Sequence, residues 1–224
     1  VEVQKKKIDA INAEKARLLA LNKKEQSSYS SAISDKQAKA NKIRNALFAL
    51  RDSGSIKFED AVKYAKKASQ QTGVRAAFIL AILQQETNIG ANLGSCYMTN
   101  TDDGSGVKIS SGAAVKNVMK ATRDITPFLA ITKALGKDYK TTRVSCPLAS
   151  GGYGGAMGPA QFIPSTWQLF AARISKANGG GTANPWAAND AFMASAMYLG
   201  DLGAGAGSYA AERNAACRYY SGRA

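Results

Sequence analysis

The chain has 224 residues, 45% of them apolar, and carries 30 Lys and Arg against 16 Asp and Glu, a net charge of +14. A chain of this length can bury one sizeable core. The positive charge favours polyanionic partners such as nucleic acid, anionic lipid or cell-wall polymers. Because the sequence has no nucleic-acid-binding signature, we expect no nucleic-acid partner. The sequence contains no histidine, which excludes Ser/His/Asp and Cys/His nucleophilic sites and most catalytic zinc sites.

Residues 1–52 contain neither Pro nor Gly and are rich in Ala, Lys, Glu, Gln and Leu, which predicts continuous helix. Apolar steps of three and four fit a heptad register that slips near Tyr29, where neighbouring serines allow a stutter or a hairpin turn. We expect a coiled coil, as one long helix or an antiparallel pair. The alternative is a solvated basic helix that orders only against the rest of the protein. The register positions are Ile8, Ile11, Lys15, Leu18, Ile33, Lys36, Ala40, Ile43, Leu47 and Leu50.

The sequence around residues 52–55, Asp-Ser-Gly-Ser, is a turn signal. It predicts a boundary between a helical extension at 1–52 and a globular domain at 55–224. The first residue is Val1 and no signal-peptide pattern follows, so we expect any targeting segment to be absent from this sequence. No apolar run reaches the roughly 18 residues that a membrane span needs, so no transmembrane segment is expected.

Apolar spacing predicts a helix over residues 58–71 and a second helix that Thr72 caps and that ends near Gly90. Glu86 follows Ile82 and Leu83 by four and three residues, so its carboxyl leaves from the apolar face of this second helix. Burial raises the pKa of a carboxyl, which suits a general acid. The alternative is an ordinary glutamate that pairs with a Lys or Arg at the helix end.

Polar, glycine-bearing sequence predicts loops over residues 94–112 and 145–158. Cys96 and Cys146 lie beside these loops, and we expect them to form a disulfide in an oxidising compartment. Cys217 would then be left without a partner. Three free thiols in a reducing cytosol are the alternative.

The segment GAMGPAQFIPSTW at residues 155–167 places small residues where a polymer can approach the backbone, followed by an amide and aromatic side chains that can grip a sugar. No Lys-Ser or Lys-Thr closes it, which excludes a phosphate loop. A glycine loop that only packs against a helix is the alternative. Pro164 is expected to open a helix, Pro185 to introduce another, and residues 210–220 to form a last one. Because few stretches alternate as strands do, the fold class is mainly α.

Four segments, taken in order, resemble lytic transglycosylases, closest to the membrane-bound B type. They are AILQQET at 81–87, GAMGPAQFIPSTW at 155–167, ASAMYL at 194–199 and YYSG at 219–222. The resemblance covers residues 56–222. It implies a lysozyme-like domain outside the cytoplasm of a bacterium that cleaves the β-1,4 bond between N-acetylmuramic acid and N-acetylglucosamine in peptidoglycan. The expected product carries a 1,6-anhydromuramoyl end.

The resemblance also implies roles for individual residues. Glu86 matches the catalytic acid/base, and the sequence departs from the family at Tyr220, where many relatives have asparagine. Thr87 keeps a hydroxyl where many relatives have serine. The residues matching substrate-binding or cleft-shaping positions are Gln161, Tyr198, Tyr219, Met157, Gly158, Phe162 and Thr87.

A hydrolysing glycosidase normally needs a second carboxylate about 5 to 9.5 Å from the first. Asp102 and Asp103 lie in a predicted loop, but no motif positions them. We therefore expect Glu86 to act alone, with no metal and no cofactor, on peptidoglycan glycan strands. A wall-binding or scaffold module without turnover and a hydrolytic muramidase stay open as alternatives. The extension at 1–52 is expected to bind a protein partner or a second copy of the chain.

Overall fold

The structure, a computed structural model, describes residues 2–53, 56–87, 90 and 93–221, with side chains at 2, 11–36, 56–86, 90 and 93–220. The chain divides into two compact units, Val1–Leu47 and Phe48–Ala224. No helix in the described residues is long and apolar enough to cross a membrane.

The first helix, α1, runs without interruption over Glu2–Ser53. The predicted alternative of a hairpin near Tyr29 is wrong, because the backbone stays helical through the serines at 27, 28, 30 and 31. Every side chain from 11 to 36 is exposed. The coiled coil stays a prediction, and the register positions 8, 40, 43, 47 and 50 lie outside the described side chains.

The second unit is built mainly from helices, which confirms the mainly α class. The helices are α2 Phe58–Thr72, α3 Ala76–Thr87, α4 Ala121–Ala134, α5 Pro164–Ala177, α6 Ala188–Asp201 and α7 Tyr209–Ser221, with short 3-10 segments at Tyr139–Thr141 and Ala204–Ala206.

One predicted helix start needs correction. Thr72 does not cap α3; it is the last residue of α2, and its hydroxyl accepts a hydrogen bond from the Val74 amide at 3.3 Å. Gly73 follows with φ of 74°, the left-handed conformation that commonly ends a helix. Pro164 opens α5, and Pro185 introduces α6 through a short turn, both as predicted.

A small antiparallel sheet was not predicted, and its first two strands lie in the segment 94–112 that was predicted as loop. Its strands are β1 Cys96–Met98, β2 Gly106–Lys108, β3 Ala114–Val115 and β4 Arg143–Val144, in the order β3-β2-β1-β4. Strands of two or three residues are too short to show an alternating pattern in the sequence. Gly106 is required here, because a Cβ at this position would lie 1.9 Å from the Tyr97 carbonyl oxygen.

Helix α4 was not predicted, and it contains Pro127 in its interior. A proline there removes one backbone hydrogen bond and weakens the helical signal. Burial of Ile125 and Phe128 compensates for this loss. Asp124, fully buried, accepts hydrogen bonds from the backbone amide and the hydroxyl of Ser165, at 3.2 and 2.7 Å, and so joins α4 to the first turn of α5.

Helix α6 is the centre of the second unit. Its residues 191–197 are all buried, and α2, α3 and α5 pack around it. The alanine face of α2 allows a close approach, and Tyr64 meets Phe192 edge-on with ring centroids 5.8 Å apart. α6 therefore holds the elements that carry the predicted site residues.

Candidate active site

Glu86 lies in the last turn of α3. The apolar stripe that precedes it is buried, with Ile79 and Leu83 fully covered and Ile82 nearly so, while Glu86 itself is half-buried. The side chain therefore emerges where the covered face of the helix meets the surface. A carboxyl at this position is removed from bulk water but stays accessible.

Burial raises the pKa of Glu86 above the ordinary range of a glutamate, and a hydrogen bond from the Tyr220 hydroxyl acts in the opposite direction. Burial penalises the charged form, and the hydrogen bond stabilises it. The negative end of the α3 dipole also disfavours an anion at this end of the helix. The site thus has a carboxyl that is biased towards holding a proton and that has a donor ready for its ionised form.

Three tyrosines form a continuous aromatic wall beside this carboxyl. The Tyr198 and Tyr219 ring centroids are 5.1 Å apart, and Tyr220 meets Tyr219 edge-on at 5.5 Å. On the other side, Phe162 packs against Tyr198 at 5.9 Å. The contacts bring α6, α7 and the glycine-rich segment together at the end of α3.

The ionisation of both α7 tyrosines is suppressed. Burial and the negative charge of Glu86 raise the pKa of Tyr219, and they raise the pKa of Tyr220 to about 12. The buried Ser195 hydroxyl lies beside Tyr219. Tyr219 and Tyr220 are therefore neutral phenols at physiological pH and can act as hydrogen-bond donors.

The glycine-rich segment forms a tight loop that is closed by a backbone hydrogen bond between Met157 and Phe162. The Met157 amide donates to the Phe162 carbonyl at 2.9 Å, and within the loop the Gln161 side-chain amide donates to the Gly158 carbonyl at 2.8 Å. Gln161 has φ of 52°, in the left-handed region that non-glycine residues rarely adopt. Such strain is often found at functional sites.

Gly158 is fixed by a neighbouring turn. A Cβ at this position would lie 1.9 Å from the Pro185 carbonyl oxygen, so only glycine permits the observed approach of the two backbones.

The structure separates the predicted site residues into two groups. Tyr198, Tyr219 and Gln161 are partly exposed, while Met157, Gly158 and Phe162 are buried and contribute by shaping the loop. Thr87 is the last residue of α3, and its side chain lies outside the described ones.

Asp102 and Asp103, considered as a second carboxylate, lie in an exposed turn after β1. Asp103 accepts a hydrogen bond from the Ser105 amide at 2.8 Å, and its pKa is lowered first by a hydrogen bond from the Ser105 hydroxyl and then by this amide. It is therefore an ionised residue that organises its own turn. Within the described residues, no group of three or more Cys, Asp and Glu side chains is arranged to hold a metal ion.

The predicted disulfide between Cys96 and Cys146 is confirmed. It links β1 to the segment that follows β4 and precedes the glycine-rich loop. Cys217 is free and exposed on α7.

One contact at the site and one ion pair at the far end of α3 were not found by sequence reasoning. Tyr220 appeared only as a departure from the family pattern, although it bonds directly to Glu86. The pair Arg75 and Glu212 joins the start of α3 to the start of α7, with Arg75 Nε donating to Glu212 Oε1 at 2.6 Å. The only sequence signal for this pair is an acidic residue in the first turn of α7.

The chain matches a known protein family. Residues 49–216 match the family model described as the transglycosylase SLT domain. No curated protein sequence matches the chain.

Solved structures similar to the chain include the lytic transglycosylase SltB1 from Pseudomonas aeruginosa, with 23% identity over 70% of this chain and 47% of that one, and a TM-score of 0.47. Another is the lytic transglycosylase Slt35 from Escherichia coli in complex with calcium, with 22% identity over 73% and 45% of the respective chains, and a TM-score of 0.46. The chain thus spans less than half the length of these structures.

Proposed function

Since the chain belongs to the transglycosylase SLT domain family, we propose that it is a peptidoglycan lytic transglycosylase in which Glu86 is first the general acid and then the general base. The observation that carries this proposal is the half-buried carboxyl with a raised pKa at the end of α3, beside the Tyr198–Tyr219–Tyr220 wall.

In the proposed reaction, protonated Glu86 donates its proton to the glycosidic oxygen between N-acetylmuramic acid and N-acetylglucosamine, and the bond from this oxygen to C1 of the muramic acid breaks. The Glu86 carboxylate then takes the proton from the C6 hydroxyl of the same sugar as its oxygen attacks C1. The product is a 1,6-anhydromuramoyl end, and the enzyme is regenerated. Because the nucleophile belongs to the substrate, proximity replaces an activated water.

The surrounding residues have supporting roles in this proposal. Tyr198 and Tyr219 offer aromatic surface to the sugar rings, and Gln161 offers its amide oxygen, since its nitrogen is engaged by Gly158. Thr87 contributes a hydroxyl. Met157, Gly158 and Phe162 hold the loop in shape from behind.

We further propose that residues 55–224 form the catalytic domain and that residues 1–52 form a helical extension that associates with a protein partner or with a second copy. The Cys96–Cys146 disulfide supports a place outside the cytoplasm, because disulfides persist in oxidising compartments.

Digestion of purified peptidoglycan, followed by mass spectrometry of the released fragments, tests the activity. The unmodified protein is expected to release fragments with anhydromuramic ends. Glu86→Gln should lower the rate by at least about 100-fold, since it removes the acid and the base together. Glu59→Gln, which changes an exposed glutamate on α2, is the matched control and should cut like the unmodified protein.

If the released fragments carried hydrated reducing ends instead, the protein would be a hydrolytic muramidase and not a transglycosylase. If neither the unmodified protein nor Glu86→Gln cut the glycan, and both bound it equally, the chain would be a wall-binding module.

A further inference from the structure

A concave site apart from the Glu86 site lies at the β4 edge of the sheet. It is a cavity of about 350 Å³ whose lining includes Lys137, Asp138, Arg143 and Trp186. The cavity lies between the segment after α4, the edge strand β4 and the turn that precedes α6. None of its lining residues belongs to the Glu86 site.

Trp186 forms a fixed aromatic surface in this cavity. Its Nε1–H donates to the Arg143 carbonyl oxygen at 3.0 Å, and its backbone amide donates to the Asn184 side-chain oxygen at the same distance. Phe128 meets the indole edge-on with ring centroids 6.4 Å apart. Because the indole donor is already used, the ring offers a ligand only its π surface.

Two cationic side chains lie in the lining with this ring, and within the described residues neither forms an ion pair with a carboxylate. The Lys137 ammonium lies 5.8 Å from the Trp186 ring centroid, and Arg143 is exposed on the edge strand. Neither makes a salt bridge to any other residue in the described part of the chain, where the ion pairs are Arg75–Glu212, Arg123–Asp124 and Arg173–Asp201. Their charges are therefore available to an anionic ligand.

Asp138 adds a negative charge to the same lining. One of its carboxylate oxygens accepts a hydrogen bond from the Lys140 amide at 2.9 Å, which fixes the side chain. A cavity with both signs of charge and an aromatic floor suits a small zwitterionic ligand. A polyphosphate strand would leave Asp138 without a cationic partner, and a neutral sugar would leave both cations unused.

We propose that this cavity binds a short peptide with a free carboxylate, and, resting on the proposed function, that the peptide is the stem of the glycan strand. The carboxylate would pair with Lys137 and Arg143, the peptide chain would lie on Trp186, and a free amino group would meet Asp138. Charge-assisted hydrogen bonds of this kind are the strong ones in such sites.

The cavity adjoins the glycine-rich loop through the backbone of Pro185 and Trp186. Pro185, which precedes Trp186, makes the close backbone contact with Gly158. A stem peptide held on Trp186 would therefore be anchored beside the loop that carries Gln161.

Titration with a synthetic stem tripeptide that carries no glycan tests the cavity independently of catalysis. Isothermal calorimetry is expected to show binding that weakens roughly tenfold in Lys137→Met and in Arg143→Met, because each loses one charge-assisted contact. The matched control is Lys108→Met, an exposed lysine on β2, which should bind like the unmodified protein. The same peptide with its carboxylates amidated should bind weakly to all four proteins.

Equal binding by the free and amidated peptides, or by the control and the two cavity variants, would overturn the proposal. A glycerol-phosphate polymer that competes with the peptide and depends equally on Lys137 and Arg143 would overturn it in favour of a polyanion site. Trp186→Leu serves as an additional variant, and because Lys137 and Arg143 are exposed, the test does not depend on its folding.

A second assay separates this proposal from the catalytic one. The unmodified protein should cut stem-bearing glycan faster than glycan stripped of its stems by an amidase, and the ratio of the two rates should fall towards one in Lys137→Met. An unchanged ratio would contradict the stem assignment. If the unmodified protein cut neither substrate, the proposed function would fail, while the peptide titration would still decide the cavity.

Discussion

Two opposing influences act on the pKa of Glu86. Burial favours its protonated form, while the hydrogen bond from Tyr220 favours its carboxylate. A group that donates a proton in one step and accepts one in the next works best when neither form is strongly preferred. Tyr220, with 52% of its surface exposed, is placed at the rim of the site, where a bound substrate would change its surroundings.

Replacing Tyr220 by phenylalanine should move the pH dependence of cleavage. The substitution keeps the ring but removes the donor that stabilises the carboxylate, so the pKa of Glu86 rises further. The protonated acid then persists to higher pH, so the alkaline limb of the profile of kcat/KM against pH shifts to higher pH. Initial rates of glycan cleavage across a pH series would measure this.

Tyr139→Phe, outside the aromatic wall, is the control and should leave the limb in place. If the alkaline limb of Tyr220→Phe moved to lower pH, or did not move, the hydrogen bond from Tyr220 would not set the pKa of Glu86.

The apolar stripe of α3 predicted only the position of the Glu86 carboxyl, at the covered face of the helix, because local helical geometry determines it. The catalytic role of Glu86 was implied by the resemblance to lytic transglycosylases. The contact between Glu86 and Tyr220 was not predictable in this way. It depends on how α3 and α7 meet, and no periodicity within either helix encodes that meeting.

At the level of elements, α3 and α7 are joined at both ends. Arg75 and Glu212 connect their N-terminal ends, and Glu86 and Tyr220 connect their C-terminal ends. The two helices therefore run in the same direction.

Arg75→Met should destabilise the second unit. Glu212 is only 5% exposed, so it would be left as a poorly solvated charge, whereas the Arg75 side chain is 56% exposed, which moderates the loss. We expect the free energy of unfolding in urea to fall by about 1.5–3 kcal/mol. The double variant Arg75→Met with Glu212→Leu should recover part of this loss.

The matched control is Arg173→Met. Arg173 pairs with Asp201 through two hydrogen bonds, at 2.6 and 3.0 Å, but both side chains are about half exposed. Such pairs contribute roughly 0–1 kcal/mol. Equal losses in Arg75→Met and Arg173→Met would mean that burial of Glu212 does not matter.

Elements that carry a local sequence signal were predicted, and elements that depend on tertiary contacts were not. The apolar stripe of α2 and the proline that opens α5 are local signals, and both helices were predicted. Helix α4 was missed because Pro127 interrupts its pattern, and its stability comes from tertiary contacts such as that of Asp124 with Ser165. The strands were missed because each is only two or three residues long.

At the level of the whole second unit, the disulfide encloses a large part of the chain. Cys96 and Cys146 are 50 residues apart, and the segment between them contains the sheet and α4. Closing a loop of this length restricts the unfolded chain and is worth about 4 kcal/mol in the chain-entropy model.

Replacing both Cys96 and Cys146 by serine should therefore lower the free energy of unfolding by about 2–4 kcal/mol. Urea denaturation followed by circular dichroism would measure the change. Cys217→Ser, which alters an exposed free thiol, should leave the transition unchanged. Coincident transitions for the double variant and the unmodified protein would show that the cross-link adds nothing to stability.

The contact between Gly158 and Pro185 means that the segment GAMGPAQF is not a self-contained module. Its second glycine is required by a backbone carbonyl from another loop. Grafting residues 155–167 onto a different scaffold would therefore not reproduce the loop unless the turn at 184–187 were transplanted with it. A protein engineer would have to treat the two segments as one part.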